Sequence, residues 1–189
     1  MWNALKSALG FAPSGPPDSP EVAAAKVQMA TDHLDPRKRF VWCALAISAD
    51  EPADPGHRAA YSTTALTEWY GMGSRDELLG NLDFYFKGTG STPAYDAFRG
   101  IFMARAGAGA NMLSDQESWE QAYRFVRKMK QAYPSWNHYG SDYVEGHIRH
   151  RQKEGDSDEH LVKVRRNMLE HFGRVARGLW TSTPYETPV

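Results

Sequence analysis

Cysteine is almost missing from this sequence: Cys43 stands alone among 189 residues, so no internal disulfide can form. One thiol also fits a reducing compartment. Charge of either sign is not in excess, with 22 Lys and Arg against 23 Asp and Glu. That balance argues against a dedicated polyanion binder. Long apolar runs are absent. The longest, "FVWCALAI" from Phe40 to Ile47, is far below the roughly 20 residues a membrane span requires, so it reads as core. The N-terminal "MWNALKSALGF" holds one lysine and no apolar stretch of signal-peptide length. A soluble cytoplasmic protein is expected. No segment alternates cleanly over six residues, which removes the main strand signal. Serine nucleophile elbows, paired His-Glu zinc helices and Walker patterns are also missing.

What the sequence does have is helix punctuation. Ser19-Pro20, Asp35-Pro36 and Thr92-Pro93 each put a capping side chain before a proline at the first helical position. There the missing amide costs nothing and the ring presets the backbone angle. Ser74 with Glu77 and Ser114 with Glu117 read as reciprocal capping boxes. Helices are predicted at about 20–33, 36–48, 62–70, 75–87, 93–106, 115–132, 136–152 and 158–178. The fold class is all-α: a single compact domain of about seven to eight helices. Residues 1–19 form an N-terminal arm whose "APSGPPDSP" is an irregular linker, 20–180 the helical domain, and 181–189 a flexible tail.

"SWNHYGSDYVEGHIRH", Ser135 to His150, concentrates histidine, acid and aromatic residues. At about 100° per residue, Trp136, Tyr139, Gly140, Tyr143, His147 and His150 share one side of a helix. His138, Asp142, Glu145 and Arg149 share the other. The first face is an aromatic seam, in which Gly140 would admit a neighbouring backbone. The second is a solvated ladder of charge neighbours, each pair contributing tenths of a kcal/mol. His138 and His147 point apart and cannot ligate one ion from this helix; His147 and His150 share a face, but no thiolate or carboxylate partners are evident nearby, so no metal is expected.

Three blocks, with this one last, resemble the bacterial Domain of Unknown Function 1266 family in order. "SWNHYGSDYVEG" is similar to its Ser-Trp, Tyr-Gly, aromatic, Gly signature. "EWYGMGSRDELLGNLDFYF" resembles its Trp-aromatic-Gly segment and the capped helix after it. "AYDAFRGIFMARAGAGANMLSDQESWEQAYRF" resembles its aromatic-Asp-x-x-Arg helix, second arginine, Gly-rich bend and Glu-x-Trp helix, and "RFVWCALAISAD" its apolar lead-in. The resemblance covers about residues 38–152. It makes Trp69, Gly71, Trp119, Trp136, Tyr139, Gly140 and Tyr143 structural signature positions. Two positions depart: Gly88-Thr89 stands where members often carry Gly-His, and His147 where an arginine is common. The resemblance implies a helical fold and a bacterial origin, and no activity.

One constellation is a candidate site. Asp96 and Arg99 lie three apart on one helical face, Arg105 projects from another, and Glu117 begins the next helix. They read either as a buried polar clamp between helices or as an arginine pocket for a carboxylate or phosphate, with Asp96 or Glu117 available for acid/base work. Gly107 and Gly109 are not a phosphate loop, since a helix precedes them and no Gly-Lys-Ser/Thr follows. Cys43 sits in an apolar run and reads as packing. The last helix carries Lys163, Arg165, Arg166, Arg174 and Arg177, but interleaved acids dilute any nucleic-acid footprint.

The function expected first is a non-enzymatic interaction protein, an adaptor or toxin-neutralising partner, binding another protein through aromatic and Arg surface. Trp2, Tyr61, Trp180 or Tyr185 would anchor it. The alternative is a ligand-binding or hydrolytic enzyme using Asp96, Arg99, Arg105 and Glu117. No cofactor is implied, and oligomeric state is left open.

Overall fold

The computed structural model describes residues 19–48, 54–89 and 91–189. Among them are eight α-helices and no strand: α1 Pro20–Asp32, α2 Pro36–Leu45, α3 Ala59–Thr64, α4 Arg75–Lys87, α5 Pro93–Gly109, α6 Asp115–Ala132, α7 Trp136–Lys153 and α8 Asp158–Arg177. The predicted caps form. Ser19, Asp35 and Thr92 accept from Val22, Arg37 and Tyr95 amides, and both capping boxes close. The expected arm lies outside the described residues apart from Ser19, and Trp2 with it.

The helix predicted at 62–70 begins earlier, at Ala59, and runs into a wider π turn over Ala65–Trp69. A single-turn 3₁₀ segment, Pro55–His57, precedes it, held by Asp54, whose side chain accepts from the Gly56 amide. After the π turn the chain reverses at Gly71, whose φ of +66° suits glycine, and Met72 N–H returns to the Leu66 carbonyl at 2.8 Å.

Helix α5 is the axis of the domain. It packs on α6, α4, α7, α3, α2 and the Pro55–His57 turn. Small residues make this possible. A Cβ added to Gly100 would lie 2.1 Å from the Phe125 ring, so α6 sits closer to α5 than any other residue would allow. The Gly107–Gly109 stretch, expected as a bend, continues the helix. Its glycines pack against Leu78, Leu113 and the Pro55 carbonyl.

Helix α7 presents the expected seam: Trp136, Tyr139, Gly140 and Tyr143 are all buried. Gly140 admits the rings of Phe172 and Trp180 rather than another backbone. On the opposite face His138 and Arg149 are exposed as expected, but Asp142 and Glu145 find partners outside the helix. Asp142 accepts from the Tyr133 hydroxyl and the Ala94 amide, and Glu145 pairs with Arg165 of α8. Those partners lie on α5, on α8 and, for Tyr133, at the end of α6.

Within residues 181–189, expected as a flexible tail, Thr183 and Tyr185 are buried, and Trp180 just before them packs on the core. Trp180 stacks on Trp136 at 5.1 Å and donates to the Cys43 carbonyl at 3.0 Å. Trp136 donates to the Thr183 carbonyl at 2.8 Å, and Tyr185 sits against Phe40 and Trp136. Trp180 and Tyr185 are thus 4% and 7% exposed and cannot serve as surface anchors. Two prolines suggested mobility, but the Tyr185 ring is seated on Phe40 and Trp136. No helix of the described residues is long and apolar enough to cross a membrane.

Candidate functional site

The four candidate residues do not converge. Arg105 is fully buried. Its Nε donates to Asp54 Oδ1 and Oδ2 at 3.1 and 3.0 Å, and Nη1 donates to Ser118 Oγ at 2.9 Å and Asp115 Oδ1 at 3.2 Å. Nη2 lies 2.9 Å from Asp54 Oδ2 as an ion-pair contact without hydrogen-bond alignment. The guanidinium carbon sits 3.5 Å from the centre of the Trp119 ring, whose Nε1 in turn donates to Asp115. This clamp joins α5, α6 and the Pro55–His57 turn. Glu117 is not part of it. It closes its own capping box and takes Arg75 at 2.7 Å on the surface. Arg75, then the Ser114 amide and hydroxyl, hold the Glu117 carboxyl down at about 2.

Asp96 and Arg99 do not pair either. Asp96 accepts from the Thr89 amide at 2.9 Å and the Thr89 hydroxyl at 2.5 Å, fixing the turn between α4 and α5. Arg99 looks the other way, into tyrosines. Its Nη1 donates to Tyr70 Oη at 2.8 Å, and its guanidinium carbon lies 4.7, 5.3 and 5.8 Å from the ring centres of Tyr70, Tyr95 and Tyr85. Its Nε is buried with no partner. Burial opposes the charge, and the three tyrosines outweigh it, leaving Arg99 above the ordinary arginine pKa. His147 and His150 of α7 border the same box through Tyr95, at 5.9 and 5.3 Å between rings. Burial is the chief cause that lowers both, His147 to about 4, with Arg99 among the charges that push the same way.

An aromatic surface runs outward from this box. Tyr70 contacts Phe102, and Phe102 contacts Tyr61. Arg58 lies 4.0 Å over the Tyr61 ring, and Trp69 meets Tyr61 edge-on at 5.5 Å. Trp69, expected as a structural residue, is 59% exposed. The π turn after α3 carries it outward while Leu66 turns into the core.

Two other arrangements gather polar groups. Asp32 takes Lys38 at 2.7 Å and His57 Nε2–H at 2.6 Å, and His57 Nε2 lies 3.7 Å from Asp54. Burial would raise the Asp32 pKa, but hydrogen bonds from His57 and Lys38 hold it below the usual carboxylate range. Asp32, Asp54 and His57 have ligand atoms within 4.8 Å of one another, yet Lys38 and Arg105 already serve as their counter-charges. The second is a cleft of about 350 Å³ between α7 and α8, lined by Tyr143, His147, Glu170, His171 and Arg174. His171 Nε2 there donates to the Ala46 carbonyl at 2.8 Å.

Sequence reasoning missed Asp54, Tyr70, Tyr85, Asp115 and Ser118. Asp54-Pro55 repeats the cap-then-proline pattern seen at Asp35-Pro36, so its capping role was readable. Its ion pair with Arg105, 51 positions away, was not.

Fold and contacts define an all-α domain built around one helix, with a buried arginine clamp and an aromatic, arginine-bearing face. The chain belongs to the family described as "Protein of unknown function (DUF1266)", which matches residues 21–185. The match reaches beyond the signature blocks to α1 and to the packed C-terminal segment. No curated protein and no solved structure matches the chain.

Proposed function

We propose that this chain is a non-enzymatic bacterial protein of the cytoplasm, of the adaptor or toxin-neutralising kind, that binds another protein through its aromatic and arginine surface. The observation that carries this reading is Trp69. It is 59% exposed and leads through Tyr61, Phe102 and Tyr70 to Arg99. Tryptophan, tyrosine and arginine are the residues that dominate binding energy at protein interfaces. Tyr61, Phe102 and Tyr70 beneath it are half-buried, so Trp69 is the exposed tip of a continuous aromatic run. The enzymatic alternative needs Asp96, Arg99, Arg105 and Glu117 at one place, and each is engaged elsewhere.

Affinity capture from native cytoplasm tests the reading, with Trp69→Ala alongside the parent chain. A stoichiometric protein held by the parent and lost by Trp69→Ala is expected. Recovery of none, or equal recovery by both chains, argues against it.

A further inference from the structure

Arg99 is set among three tyrosine rings, with its Nη1 on the Tyr70 hydroxyl. Arg75, Arg105, Arg124, Arg151 and Arg165 each hold a carboxylate. Among the described residues Arg99 meets none; it is half-buried, and its Nε, like those of Arg39 and Arg58, is sealed without a partner. A cation so placed ordinarily keeps a counter-ion, because an unpaired charge away from water is costly. Tyrosine faces supply only part of what a carboxylate would.

We propose that Arg99 receives a carboxylate side chain presented by the bound protein, seated between the hydroxyls of Tyr70 and Tyr85 and the α7 histidines. The inference rests on the protein-binding reading for the source of that carboxylate. The site itself does not. Arg99 is the one full positive charge of the box, since His147 and His150 are both biased toward the neutral form. One guanidinium is neutralised by one monoanion, and its planar fork matches a carboxylate edge. A phosphate dianion would leave a surplus negative charge among tyrosine rings. The path from Trp69 through Phe102 and Tyr70 joins this seat to the exposed aromatic face, so an anchor and an acid from one partner can dock together.

The test titrates the folded full chain with acetate while following the Arg99 Nε–H resonance and the ring signals of Tyr70 and Tyr95. A saturable shift is expected, with sodium chloride at matched ionic strength giving none. Arg99→Lys keeps the charge and loses the fork, so the tyrosine shifts should saturate about tenfold more weakly. An unmoved Nε–H, or the same shift with chloride, overturns the proposal. A tighter response to inorganic phosphate than to acetate overturns the carboxylate assignment. Acetate binding without any captured partner would sink the protein-binding reading and keep the site. A captured partner with a silent Arg99 would do the reverse.

Discussion

Asp54→Asn isolates the charge of the central clamp. Asparagine still accepts from the Gly56 amide, so the Pro55–His57 turn keeps its cap. What is lost is the negative partner of an arginine with no solvent exposure. Asp115 remains, but its side chain is 61% exposed and hydrated, so it cannot replace Asp54. Breaking a buried pair by removing one partner costs about 3–5 kcal/mol. For a chain of this length that is about 10 °C in Tm. Urea titration followed by tryptophan fluorescence reads it directly, because Trp119 lies on the guanidinium. Asp54→Asn with Arg105→Met removes both charges and should recover most of the loss. An Asp54→Asn chain within about 0.5 kcal/mol of the parent, a change typical of surface sites, refutes the view that this pair fixes how α5, α6 and the turn pack. So does a double variant whose loss is the sum of the singles.

Acid sensitivity should follow two half-buried histidines. His33 and His147 are held near 4, mainly by burial, against an ordinary 6.5. The unfolded chain therefore binds more protons between those values, and stability is full above about pH 6.5 and lost as pH falls toward 4. Partial solvent contact discounts each contribution to about 2 kcal/mol, and His147→Gln should flatten the profile measured by urea midpoints. Gly100→Ala drives a methyl into the Phe125 ring and should cost about 1–3 kcal/mol, with part restored by Phe125→Leu. Tyr185→Ala should cost about 3 kcal/mol by chemical denaturation, where a loose tail would lose nothing measurable.

The helices were legible because their starts are written locally. A capping side chain and a proline, or a serine three residues before a glutamate, specify a helix start without knowledge of the rest of the chain. The Trp136 to Tyr143 seam was legible for the same reason, since helical periodicity alone selects its face. Side-chain partners across helices were not. Asp96 and Arg99 are near neighbours on α5, yet Thr89 and Tyr70 take them in opposite directions. Glu117 was a reasonable partner for either arginine until Arg75, from α4, proved nearer. The C-terminal segment misled through its prolines, because local composition says nothing of a ring landing on Trp136. Pairings of 51 residues or more, such as Arg105 with Asp54, are set by topology.

Partner retention by three variants separates the clamp from the binding face most directly. Trp69→Ala and Arg99→Gln should release the partner while keeping the parent's unfolding midpoint within a few degrees. Asp54→Asn, assayed at a temperature where it is folded, should keep the partner while melting about 10 °C lower. Retention by the first two, or release by the third alone, would contradict the division of labour between a packed arginine and a receiving one.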